Sequence, residues 1–143
     1  MLKEALRIIP VVLYLVVGMI CSVMAFKCLG ATRFLPFHEK AIGKQWDEIE
    51  NSFKPVFLSL LRLVGLGFLI ISILLIVFPA VTLAVPNAFD RYSIPGLALV
   101  YCAGLFLINY QLHKKTGVDT PWKGSLYALF VLIAGIIISV VTS

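Results

Sequence analysis

Apolar residues run along this chain in four long blocks, at about residues 6–26, 55–78, 95–112 and 121–141. The only long charged stretch lies between the first two. The first block is uncharged from Ile8 to Phe26, which is 19 residues. At 1.5 Å per residue it spans about 28 Å, close to the hydrocarbon thickness of a bilayer. The pattern predicts an all-α membrane protein. Four transmembrane helices form an antiparallel bundle within a single integral membrane domain over residues 1–143, and one amphipathic interfacial helix over residues 36–52 joins spans one and two.

The interfacial helix is read from the charged stretch itself. At 100° per residue, Leu35, Ile42, Trp46, Ile49 and Phe53 fall within a wedge of about 60°. Lys40, Lys44, Asp47, Glu48, Asn51 and Lys54 take the opposite side. On the wet side, Lys44 with Glu48 and Glu50 with Lys54 have the spacing of helical ion pairs, each contributing a few tenths of a kcal/mol. Trp46 is a residue type that favours the head-group level.

Prolines and glycines mark the expected boundaries. Gly30 ends the first helix, and Pro10 either occupies its first turn or kinks it. Pro36 suits the first turn of the interfacial helix. Span two begins near Pro55 with Asn51 or Ser52 as cap, and Pro79 ends or bends it, leaving the following AVTLAVP as an apolar turn. Span three begins near Pro95 with Ser93 as cap, and Asp90 and Arg91 mark its outer edge. Span four begins at Pro121, capped by Thr120 or Asp119, with Trp122 at the interface. The short connections after spans two and three favour antiparallel neighbours.

Composition agrees with this reading. The chain is 61% hydrophobic and 13% charged, with mean hydropathy +1.03, against about 25% charged in a typical soluble domain. The net charge of +5 belongs to residues flanking apolar runs. Anionic lipid is therefore the expected partner, with a second copy or another membrane protein as a further one. No basic–aromatic motif of a nucleic-acid module is present. Lys3 and Arg7 before an apolar run imitate a secretory signal, but the run exceeds a signal core of about 7–15 residues and is read as a retained span.

Orientation follows from Lys and Arg. Lys27, Arg33, Lys40, Lys44, Lys54 and Arg62 lie in or beside the first connector, and Lys114, Lys115 and Lys123 around the third. Only Lys3, Arg7 and Arg91 lie on the other side. The positive-inside rule places both connectors (residues 27–54 and 113–120) in the cytoplasm and both termini outside, in an inner or plasma membrane.

Candidate chemistry is sparse. Cys21, Cys28 and Cys102 form no CxxC and have no zinc spacing. Cys21 and Cys102 lie in apolar runs, where a thiol acts as a small hydrophobe. Cys28 ends span one, where it is an interfacial thiol or a lipidation or pairing site. His38 and Glu39 adjoin, but HEKAI lacks the second histidine of a zinc-protease motif. His38 is either a proton carrier, ligand or substrate contact, or an interfacial histidine satisfied by water or a carbonyl. His113 lies on the same side, which raises a bis-histidine haem or metal site. Haem ligands ordinarily lie deeper than either position, so no cofactor and no metal is expected. Arg62, about two turns into span two, either binds an anion or a carboxylate such as Glu39, or snorkels to the head groups. Arg33, His38, Glu39, Trp46 and Arg62 form the candidate binding cluster at the cytoplasmic interface; no catalytic residue is assigned. Asn109 and Gln111 are read as helix–helix contacts, Gly65, Gly67, Ala103 and Gly104 as surfaces for close approach, and Tyr14, Tyr101 and Tyr127 as packing residues.

The apolar blocks carry no ionisable side chain over residues 8–26, 63–89, 92–112 or 124–143, cysteine and tyrosine aside. Four-span proton-coupled exporters such as the small multidrug resistance family have a membrane-embedded carboxylate, which this chain lacks, so ion-coupled transport is disfavoured. No P-loop or GxSxG nucleophile appears. The expected function is a non-catalytic binding or structural module, or a subunit of a membrane assembly. One alternative is an enzyme acting on a lipophilic substrate at the cytoplasmic interface. In length and span number alone the chain is similar to the four-span glutathione-handling enzymes, whose Arg/Glu-rich motif it lacks. The other alternative is an oligomeric channel or carrier.

Overall fold

The computed structural model describes residues 2–84 and 88–142, and no strand occurs among them. The helices are α1 (Leu2–Leu29), α2 (Pro36–Ile42), α3 (Lys54–Ala84), α4 (Ala88–Thr116) and α5 (Trp122–Val141). A single 3-10 turn, Trp46–Glu48, lies between α2 and α3. Four segments are long and apolar enough to cross a membrane: Arg7–Leu29, Lys54–Ala80, Tyr92–Thr116 and Trp122–Val141.

Each long helix has one apolar stripe facing its neighbours and another facing outward. On α1, Tyr14, Val17, Cys21, Ala25 and Cys28 are buried, while Ile8, Val12, Val16, Met19, Val23 and Phe26 are exposed. Both series keep the spacing of three or four that returns a residue to one helix face. In water the second stripe would be costly; in hydrocarbon it is at home. Tyr14, Val17 and Cys21 join Ile71, Leu75 and Phe78 of α3, Ala98 and Cys102 of α4, and Leu132 of α5 in one core. α1 is the central element, with 33% of its spanning window buried against 11% for α5.

Glycines set the closest approaches. A Cβ on Gly65 would stand 3.0 Å from Cys28 and Leu29. One on Gly67 would stand 2.5 Å from the Tyr101 hydroxyl, which itself donates to the Val64 carbonyl at 3.2 Å. Gly18 against Leu75 and Ile76, and Gly135 against Tyr14, do the same. The Ser22 and Ser72 hydroxyls bond to each other at 2.5 Å, which satisfies a polar pair between α1 and α3. Tyr14 packs edge-on to Phe78, whereas Tyr127 is exposed and Gly104 faces open space.

Several expected boundaries are corrected. α4 starts at Ala88, so Pro95 lies inside it and Ser93 is not a cap. α3 continues through Pro79 to Ala84, replacing the first part of the expected apolar turn with helix; Val85, Pro86 and Asn87 lie outside the described residues. Pro10 is interior to α1. Proline is tolerated inside spanning helices because neighbouring groups re-satisfy the freed carbonyl. Neither expected cap of α3 forms, since Ser52 Oγ donates to Glu50 and Asn51 Oδ1 accepts from Lys54. Thr120 does not cap α5 but donates across to the Asn109 carbonyl at 2.8 Å, and Asp119 pairs with Lys123. The Asn109 side chain donates back to Leu105 on its own helix rather than to a neighbour.

The expected helix over residues 36–52 is broken. α2 ends at Ile42 because Gly43 takes φ 69°, the left-handed conformation that closes a helix. Glu48 then caps the 3-10 turn by accepting from the Gln45 amide at 3.0 Å. With helical spacing lost, the Lys44–Glu48 and Glu50–Lys54 ion pairs do not form, and Leu35, Ile42, Trp46, Ile49 and Phe53 no longer share one helix face.

Candidate functional site

The connector between α1 and α3 folds around Phe34, which is 8% exposed. Three rings close on it: Trp46 at 4.8 Å, Phe57 at 5.0 Å and His38 at 5.7 Å between centroids. They come from the 3-10 turn, α3 and α2, so Phe34 pins the polar connector to the first turn of a spanning helix. Pro36 starts α2 as expected and Gly30 follows the end of α1, holding its amide to Phe26 at 3.0 Å. The bend at Gly43 then brings Trp46 back over α2, where its amide donates to Glu39 Oε1 at 3.3 Å. Lys54 covers the outer face of the Trp46 ring, 5.8 Å from its centroid.

Beside this aromatic cluster lies a cleft of about 380 Å³ running from the last turn of α1 to the start of α2. Lys27, Thr32, Arg33, Pro36 and Glu39 are among its lining residues. The Lys27 and Arg33 side chains are exposed, and neither has a hydrogen-bond or ion-pair partner among the described residues. Glu39 is half-buried between the cleft and the Trp46 amide.

His38 is placed differently. Its ring lies 4.0 Å from that of Phe37 and is half-buried, and its Nδ1 is buried with no hydrogen-bond partner. Burial pushes its imidazole below the ordinary histidine value, because a ring packed among phenyl groups resists taking a charge.

Of the five residues expected to cluster, Arg33 and Glu39 share the cleft, and His38 and Trp46 share the adjoining aromatic cluster. Arg62 is exposed on α3, does not line the cleft, and reaches neither Glu39 nor another carboxylate. His113 is separate from His38 and committed elsewhere, with Nδ1 2.7 Å from the Val118 carbonyl. No group of three or more His, Cys, Asp or Glu side chains suited to a metal ion occurs among the described residues.

Sequence reasoning missed Phe34, Phe57, Lys27 and Thr32. The density of aromatic residues from Phe34 to Phe57 was a usable signal, but a wheel that assumes one continuous helix scatters them. No family model, curated protein or solved structure matches the chain.

Proposed function

We propose that this chain is a small multi-pass integral membrane protein working as a non-catalytic binding or structural module, a single domain in which four antiparallel helices present one polar connector to the cytoplasmic membrane surface. The observation that carries the membrane reading is the outward apolar stripe on every long helix. Exposed Val16 and Val23, Leu63 and Ile70, Leu97 and Ile108, and Phe130 and Ile137 would each meet water in a soluble bundle. The binding reading is supported by the connector, where Trp46 and the unpaired cations suit a head-group layer. With the connector inside, both termini lie outside, in an inner or plasma membrane whose anionic lipids are the nearest counter-charge.

The polar groups here serve packing more readily than turnover. Glu39 is engaged by a backbone amide, His38 is held among phenyl rings, and Arg62 is remote from both. A second reading, an enzyme acting on a lipophilic substrate at the same interface, draws on the orphaned Nδ1 of His38.

The test uses single cysteines at Lys44, Lys114 and Asp90 in a background whose native cysteines are replaced by alanine, probed in intact cells with a membrane-impermeant maleimide. Labelling at Asp90 alone is expected. Labelling of Lys44 and Asp90 from the same face would sink the topology on which the function rests.

A further inference from the structure

We propose that the cleft between α1 and α2 holds the head group of one phosphodiester lipid, with Lys27 and Arg33 on its phosphate and an acyl chain along the outward face of α1. The proposal builds on the membrane reading above. Three observations on different scales converge on it.

The first is charge. Lys27 and Arg33 bring two positive charges to the cleft and Glu39 one negative. The balance of one positive charge matches a singly charged phosphodiester better than a dianionic monoester. Arg33 offers the planar fork that grips two phosphate oxygens, and Lys27 a point charge. Neither cation is drawn off by a neighbour among the described residues.

The second is size. A cavity of about 380 Å³ falls in the range of small-ligand sites, and its lining is mixed, with Lys27, Thr32, Arg33 and Glu39 for a head group and Phe34, Leu35 and Pro36 for its apolar edge.

The third is what lies beneath. Val23, Ile20 and Val16 stand four, seven and eleven residues before Lys27, which places all four on one face of α1. Their exposures are 53%, 53% and 48%, and Phe26 beside them is 73% exposed. A cation above an uncovered apolar track is complementary to an amphiphile. Free phosphate would use the cation and leave the track idle. Lys27 also lies near the carbonyl end of α1, where any cation is favoured. Arg33 is beyond that helix and has no such duty, so it is the sharper probe.

The full-length protein, delipidated in mild detergent, would be titrated with short-chain phosphatidylglycerol, with diacylglycerol of the same chain length, and with inorganic phosphate, the bound species being counted by native mass spectrometry. One phosphatidylglycerol is expected to bind. Arg33→Gln and the Lys27→Gln/Arg33→Gln pair should weaken it, the pair on the order of 10-fold, while Lys114→Gln/Lys115→Gln should not. Circular dichroism checks that each variant keeps its helices. Equal binding by the double variant, equal retention of diacylglycerol, or full displacement by millimolar phosphate would each overturn the proposal, the last by assigning the cleft to a free anion. A protein that stays monodisperse once detergent is removed defeats the membrane reading itself, an outcome separate from loss of the lipid.

Discussion

Two polar connections in this chain are built from the same parts and end in different states. The connector before α3 and the loop before α5 each hold a glycine in the left-handed region, Gly43 at φ 69° and Gly117 at φ 68°. Each has a histidine nearby, His38 in α2 and His113 in the last turn of α4, and each has a tryptophan covered by a lysine, Lys54 at 5.8 Å from the Trp46 centroid and, at the start of α5, Lys123 at 5.7 Å from that of Trp122. In the loop a linked set of hydrogen bonds closes the turn, with Lys114 and Lys115 exposed outside it. Gly117 donates to the His113 carbonyl, His113 Nδ1 meets Val118, Thr116 donates to Leu112, Thr120 donates to Asn109, and Asp119 pairs with Lys123. Only Trp122 Nε1 is buried there without a partner. The connector has hydrogen bonds of its own, to Glu39 and Glu48 among others, but it also packs edge-on and tilted rings around Phe34, leaves His38 Nδ1 buried without a partner, and sets the unpaired Lys27 and Arg33 at a cleft. A closed hydrogen-bond set is how a chain reverses direction at low cost; polar groups left over beside a cleft are what a ligand can use. With similar residue content, the two connections differ in the ring cluster and the cleft beside it, and the proposed site rests on those two features.

The sharpest way to break this contrast is to remove the ring at the centre of the connector. Phe34→Ala deletes contacts with Trp46, Phe57 and His38 at once. Loss of a buried phenyl group costs about 3–5 kcal/mol where the site cannot collapse. The connector should detach from α3 while the four long helices persist. Limited proteolysis should then cut between residues 36 and 52 in the detergent-solubilised variant but not in the parent. Equal resistance in both would show that the aromatic cluster does not hold the connector.

The loop predicts a smaller effect. Thr120 is 4% exposed and its hydroxyl holds the Asn109 carbonyl near the end of α4. Thr120→Val keeps the shape and leaves that carbonyl without its side-chain partner, at a cost of about 1–3 kcal/mol. A thermal-denaturation midpoint lowered in the same detergent is the expected result. No change would mean that another donor, or water, takes over, and that the loop is less tightly closed than its hydrogen bonds imply.

These two regions also show what the sequence could and could not reveal. The four spanning helices were legible because apolar runs of that length have few other solutions, and local chemistry alone marked the end of α1 at Gly30 and the start of α2 at Pro36. Gly65 and Gly67 were legible as close approaches, whereas nothing local set Gly18 and Gly135 apart from the other glycines of the spans. Pro79 and Pro95 misled because local rules end a helix at one proline and start a helix at another, whereas α3 and α4 run through them. The connector was misread for one reason. A helical wheel presumes unbroken helix, and a single left-handed residue at Gly43 sends Trp46 back onto Phe34 instead of onward along the stripe. Arg33 and Glu39 still line one cleft, both lying before the break, while Arg62, on the far side of it in the sequence, does not.

The smallest predicted effect tests the connector from the inside, through His38. Its folded pKa is lowered by burial, so the unfolded chain, near 6.5, binds the proton more readily. Stability from the neutral ring is then complete above about pH 6.5 and declines as pH falls through the lower folded value. Protonation would place a charge among Phe34, Phe37 and Trp46 and loosen the cluster. Trp46 emission, read in a Trp122→Phe background, should shift toward the red over that window. His38→Phe should abolish the shift and leave stability at pH 7 unchanged or raised by up to about 1 kcal/mol, since the orphaned Nδ1 goes with it. The corresponding His113→Phe change removes the bond to Val118 and should destabilise the loop instead. If His38→Phe destabilised the protein as much as His113→Phe, the two histidines would be doing the same structural work, and the distinction between site and turn would be lost.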